Sequence, residues 1–204
     1  MISHKYKFIF IHIPKTGGTS IDCLFTGSMQ RHSCMQDYES YLSKKQFGEY
    51  LKFTIVRNPF DLMVSSYIMI CKRIASHHKH TIKTFGDNIF TFNEYINKKV
   101  QNYIVGTEDF IETNFSKSMF NGNQLDWIQN LEGKLTIDYI ARFENLQEDF
   151  DIIFDKIGIP RQKLPHKNKT DHKHYTEYYD DETRQIVSEK YAKDIKYFGY
   201  KFGA

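Results

Sequence analysis

Phe8-Ile9-Phe10-Ile11-His12-Ile13-Pro14-Lys15-Thr16-Gly17-Gly18-Thr19-Ser20 decides how the rest of the chain is read. Phe8 to Ile13 is an apolar run rich in β-branched and aromatic residues, the signature of a buried strand. Pro14 keeps Ile13 extended and has no N–H to offer a sheet ladder. Gly17 and Gly18 permit a tight turn with exposed amides, and Thr19 to Phe25 reads as the opening of a helix. Amides and the positive end of a helix dipole, facing a turn that carries a lysine, suit an anion. The expectation is a loop that holds a phosphate-like group, with Lys15 as the reactive cation.

Working outward, Leu51 to Val56 is a second strand, ending in Arg57-Asn58-Pro59. Asn58 is a favourable N-cap and Pro59 a favourable first helical residue. Phe60, Met63, Val64, Tyr67, Ile68 and Ile74 then mark a helix to about Ile74. Two strand-to-helix units in succession indicate parallel βαβ pairing. Between them lie a polar connector, Thr26 to Gln36, and a short helix expected over Asp37 to Phe47. Beyond them, Ala75 to Ile89 reads as a long surface loop or lid. Thr91 with Glu94 forms a capping box for a helix over Phe92 to Val100, and Gln101 to Asn123 reads as irregular. Leu135 to Phe143 is expected as a strand, followed by a helix from Glu144 to Ile157 that Gly158 and Pro160 close. A last helix is expected from Asp180 or Asp181 to Lys193, with the aromatic tail Tyr197 to Phe202 packing back on the sheet. The fold expected is α/β: three layers in a P-loop-NTPase-like arrangement, with a central, mainly parallel sheet flanked by helices, in one domain over residues 1–204.

Composition narrows the chemistry. With 28 Lys and Arg against 25 Asp and Glu, the formal charge of +3 is too small to argue for nucleic acid but suits an anionic ligand. No apolar run of membrane-spanning length and no leader pattern is visible, so a cytoplasmic protein without a membrane span is expected. Cys23, Cys34 and Cys71 lack metal-ligand spacing and read as free thiols. The cluster His77, His78 and His80 has no Cys or carboxylate partners at set spacing and reads as solvated rather than metal-binding.

The Pro14–Ser20 turn is not a Walker loop, which places its lysine after the last glycine and next to a magnesium-binding Ser or Thr. Here Lys15 precedes both glycines. Arg57 is followed eight residues later by Ser65, a helical rise of about 10 Å. A folded-back guanidinium and a hydroxyl can then share one phosphate. Taken together, these motifs resemble the sulfotransferases that use 3′-phosphoadenosine 5′-phosphosulfate (PAPS), in particular the carbohydrate branch with the uronyl 2-O-sulfotransferases. Ala141-Arg142-Phe143-Glu144-Asn145-Leu146 and the segment from Tyr178 through Gly199-Tyr200 also resemble that branch.

The resemblance implies that Pro14, Lys15, Thr16, Gly17, Gly18, Thr19 and Ser20 bind the 5′-phosphosulfate, and that Arg57 and Ser65 bind the 3′-phosphate. Lys15 would stabilise the leaving phosphate. His32, in the connector where related enzymes place a base, is the candidate general base; a surface histidine is the plain alternative. In the basic loop Pro165 to His174, Lys167 and Lys169 would meet the 3′-phosphate or an anionic acceptor, unless that loop is simply solvated. His12 reads as a hydrogen-bonded core residue. Gln124 and Trp127 resemble a family feature near the active site, with a plain core role as the alternative for Trp127; Arg142 and Glu144 recur in the family pattern, and an ion pair fixing the following helix accounts for them equally. The implied reaction moves a sulfuryl group to a hydroxyl acceptor, most naturally a glycan, without a metal and leaving adenosine 3′,5′-bisphosphate (PAP). The rivals are a nucleotide-kinase-like phosphotransferase and a non-catalytic module that binds anionic glycans.

Overall fold

A computed structural model describes residues 1–25, 33–101, 122–165 and 172–204, with residues 80, 83, 84 and 98–101 by main chain alone. In chain order the elements are β1 (Ile2–Ser3), β2 (Phe8–Ile11), α1 (Gly18–Asp22), α2 (Met35–Tyr41), α3 (Lys44–Glu49), β3 (Leu51–Val56) and α4 (Pro59–Ala75). There follow α5 (Lys79–Phe85), α6 (Phe92–Gln101), α7 (Gln124–Trp127), β4 (Tyr139–Arg142), α8 (Leu146–Ile157), α9 (Asp181–Lys190) and α10 (Ala192–Phe198). Short 3₁₀ turns occupy Phe143–Asn145 and Tyr175–Tyr178. The described residues fall into two compact units, one from residues 1–57 and 122–165, the other from residues 58–101 and 172–204.

The first unit holds a sheet of order β1-β2-β3-β4. Among the described residues the β1–β2 pair is antiparallel, and β2–β3 and β3–β4 are parallel, with Ile11 opposite Thr54 and Val56 opposite Arg142. The fold is therefore α/β with a central, mainly parallel sheet flanked by helices, as the two strand-to-helix signals lead one to expect. Side chains alternate across a strand. Phe8, Phe10, Phe53, Ile55 and Ala141 share one face with Ile21 and Phe25 and with Phe150, Ile153 and Phe154 of α8. Ile9, Ile11, Thr54 and Val56 point the other way and are buried too. A sheet buried on both faces explains why these strands read as continuous apolar runs rather than alternating ones.

Several boundaries differ from the sequence reading. The first strand stops at Ile11 rather than Ile13; the Thr54 hydroxyl donates to the Ile11 carbonyl at 2.8 Å and Pro14 cannot extend the ladder. The helix expected to Phe25 ends at Asp22. Two helices replace the one expected over Asp37 to Phe47. Ser43 separates them, capping α3 by accepting from the Gln46 N–H at 3.3 Å. The strand expected from Leu135 is in place only over Tyr139–Arg142. Its exit is fastened by Asp149, which accepts from the Arg142 N–H at 2.5 Å and the Tyr139 hydroxyl at 2.8 Å.

The second unit packs around α4. Asn58 caps it, its Oδ1 accepting from the Phe60 N–H at 3.2 Å, and Pro59 opens it. Phe60, Met63, Val64, Ile70 and Ile74 join Phe92, Tyr95 and Ile96 of α6 and Val187 of α9 in one core. The Thr91–Glu94 capping box forms, with Glu94 accepting from the Thr91 N–H at 2.7 Å. The lid expected over Ala75 to Ile89 contains a helix instead, α5, whose first turn is capped by the His78 ring accepting from the Thr81 N–H at 3.3 Å. The last helix breaks at Tyr191, and α10 continues to Phe198. In the tail, Phe202 meets the rings of Phe60, Tyr175 and Tyr179, whereas Tyr197 is exposed.

Candidate active site

The Pro14–Ser20 turn leaves the C-terminal end of β2, and Arg57 leaves the C-terminal end of the neighbouring parallel strand β3. Lys15 has φ 69°, in the left-handed region that a residue with a Cβ rarely enters, and Gly17 has φ 88°. The lysine geometry costs on the order of 1–3 kcal/mol and persists only where its surroundings impose it. Three contacts do so. The Thr16 hydroxyl, fully buried, donates to the Ile13 carbonyl at 2.8 Å. The Ser20 N–H donates to the Gly17 carbonyl at 3.0 Å. The Arg57 Nη1 donates to the Lys15 carbonyl at 2.9 Å.

The two glycines serve different ends. Gly17 supplies the positive φ, and a Cβ there would also approach the Phe143 ring to 3.1 Å. Gly18 supplies space, since its Cβ would lie 2.2 Å from Cδ2 and Nε2 of His12. His12 is buried, stacks on Phe10 with ring centroids 5.4 Å apart, and places Nδ1 3.5 Å from Asp22 Oδ2. The sequence placed His12 in the core; that it is the surface on which the start of α1 rests has no signal except the second glycine of the pair.

Arg57 is itself buried and held on three sides. Its N–H donates to Gln124 Oε1 at 2.8 Å, and Gln124 Nε2 donates back to the Arg57 carbonyl at 2.8 Å. Its guanidinium lies over the Phe143 ring, 3.9 Å from the centroid, a cation–π stack. Gln124 therefore takes the place of a further strand at the exit of β3, and Trp127 beside it is buried. Phe143, which touches both the Arg57 guanidinium and the Gly17 position, was not singled out by sequence reasoning.

The site residues expected from sequence are thus placed as follows. Pro14, Lys15, Thr16, Gly17, Gly18, Thr19, Ser20 and Arg57 are brought together in the first unit. Ser65 lies half-buried within α4, in the second unit. His32, Lys167 and Lys169 lie outside the described residues. Among the described residues, no group of three or more His, Cys, Asp or Glu is arranged to hold a metal ion. None of the described helices is long and apolar enough to cross a membrane.

The lysine-bearing turn and Arg57 thus lie at the carboxyl ends of adjacent parallel strands of an α/β sheet, the edge at which open α/β folds in general place their ligands. The sequence pattern of the Sulfotransferase family matches residues 1–201, and the chain belongs to that family. It is therefore a transferase of sulfuryl groups. An uncharacterized protein of Archaeoglobus fulgidus is 26% identical over 122 residues, 59% of this chain and 78% of that protein. The crystal structure of a sulfotransferase from Alicyclobacillus acidocaldarius aligns over 93% of this chain and 92% of its own, at 11% identity and a TM-score of 0.44.

Proposed function

We propose that the protein transfers the sulfuryl group of PAPS to a hydroxyl of a carbohydrate, in the manner of the uronyl 2-O branch. Family membership supports this reading, and the observation that carries it is the meeting of the Lys15 turn with Arg57 at neighbouring strand ends, 2.9 Å from donor to acceptor. The acceptor oxygen attacks sulfur in line, the bond from sulfur to the bridging oxygen breaks, and PAP leaves. Such a displacement needs positioning and charge stabilisation above all. Lys15 neutralises charge growing on the bridging oxygen. Amides of Thr16 to Thr19, with the Thr19 and Ser20 hydroxyls, hold phosphate and sulfonate oxygens around Pro14, Gly17 and Gly18, the Ser20 amide being committed to the Gly17 carbonyl.

The Thr16 hydroxyl is committed to the Ile13 carbonyl, so Thr16 serves through its amide and through loop shape. Arg57 and Ser65 read the 3′-phosphate, with Lys167 and Lys169 as further cations, and His32 takes the acceptor proton. The test is sulfuryl transfer from radiolabelled PAPS to a panel of uronic-acid glycans, with Lys15→Ala beside the natural chain. Lys15→Ala should lose turnover by roughly a hundredfold or more while its circular dichroism is unchanged. Stabilisation by ATP–Mg²⁺ greater than by PAP would refute the donor assignment in favour of a kinase.

A further inference from the structure

We propose that Arg57 is a positioning residue for Lys15 as well as a phosphate ligand, so that the 3′-phosphate site and the reactive lysine are one mechanical unit. The inference rests on the donor assignment above and adds a role to it. Lys15 occupies a left-handed conformation that its own side chain disfavours, and the group bonded to its carbonyl is the Arg57 guanidinium. That guanidinium cannot drift, because its plane lies on Phe143 and its main chain is tied at both N–H and C=O to buried Gln124. Phe143 in turn borders Gly17, two residues after Lys15.

The chain from Gln124 through Arg57 to Lys15 therefore sets where the lysine backbone sits before any donor arrives. A guanidinium carries five N–H donors in a rigid plane, so bonding a carbonyl on one edge is compatible with bonding a phosphate on another. A lysine at position 57 keeps the charge but lacks that planar fork. Arg57→Lys should accordingly disturb the Lys15 turn even when there is no 3′-phosphate to bind.

The experiment compares the natural chain and Arg57→Lys with two donors, PAPS and adenosine 5′-phosphosulfate, which has a 3′-hydroxyl in place of the phosphate. Loss of the 3′-phosphate contact alone predicts equal kcat for the two proteins with the second donor. The positioning role predicts that Arg57→Lys remains roughly tenfold to a hundredfold slower in kcat with that donor too. Hydrogen exchange of the 14–20 segment, measured without any donor, should be faster in Arg57→Lys, and also in Phe143→Leu, which keeps the arginine but removes its platform. Equal kcat with the second donor, or unchanged exchange in both variants, overturns the proposal. If the natural chain transfers from neither donor, the donor assignment falls, while the exchange comparison still decides the role of Arg57.

Discussion

Replacing Gly18 by alanine tests whether the turn is shaped by a ring beneath it. Gly18 has no positive φ and opens α1, so on helix propensity alone alanine would stabilise by up to about 1 kcal/mol. The structure reverses the sign. The new methyl would lie 2.2 Å from Cδ2 and Nε2 of His12 and 2.8 Å from its Cε1, against a normal carbon contact of about 3.5–4.0 Å. The ring has little room to retreat, being buried, stacked on Phe10 at 16° and set 3.5 Å from Asp22. Overpacking of this kind costs about 1–3 kcal/mol, leaving a net loss of up to about 2 kcal/mol after the full propensity gain. For a chain of this length that lowers the melting temperature by up to about 8 °C.

Thermal unfolding followed by circular dichroism measures the loss, and the decisive comparison is the cycle with His12→Ala. In the double variant the methyl enters space the ring has left, so the two effects should be non-additive by more than about 1 kcal/mol. Additivity within about 0.5 kcal/mol, or a Gly18→Ala protein more stable than its parent, would refute the argument.

Asn58 both caps α4 and donates from Nδ2 to the Lys201 carbonyl at 3.0 Å. Asn58→Ala should lose about 2 kcal/mol, the sum of a cap and one hydrogen bond, and lower the urea midpoint without changing the slope. Burial holds the Lys190 ammonium at about 8, below its ordinary 10.5. Between those values the unfolded chain binds more protons than the folded one, so this group makes stability rise as pH rises from about 8 to 10.5, and below about 8 its buried charge is a constant penalty. Lys190→Met should therefore be the more stable protein at pH 7, by roughly 1–2 kcal/mol for a partly exposed group. Urea titrations at pH 7 and 10.5 should show that advantage shrinking at the higher pH.

The parallel pairing was legible because each strand-to-helix junction carries its own local chemistry. Leu51–Val56 has the bounds its apolar run implies, and Asn58-Pro59 begins a helix for reasons visible in two residues. Gly158, in the left-handed conformation, ends α8 where expected. The Pro14–Ser20 turn was legible as a turn for the same reason, since Pro14, Lys15 and the glycines are contiguous. What holds that turn was not. The Arg57–Lys15 bond spans 42 positions and the Gln124–Arg57 pair 67, and no periodicity reports such contacts. The helix over Lys79–Phe85 was missed because its His, Lys and Thr residues carry little apolar rhythm, its start being fixed by a histidine cap rather than by Ser, Asp or Asn. His12 was assigned to the core correctly, yet its contact with Gly18 follows from the tertiary path of the turn.

The sheet's spatial order, β1-β2-β3-β4, repeats the order of the chain. During synthesis each new strand can therefore add to an edge already in place, with no earlier pairing to undo. The last addition is far slower to reach than the others, because everything from Arg57 to Asp138 must emerge before Tyr139 can dock beside Phe53. Phe143 arrives with that strand. Until it does, the guanidinium has no aromatic seat, so the corner where Arg57 meets Lys15 is finished only when β4 closes on β3, and a nascent chain halted earlier would carry the lysine turn without a fixed brace.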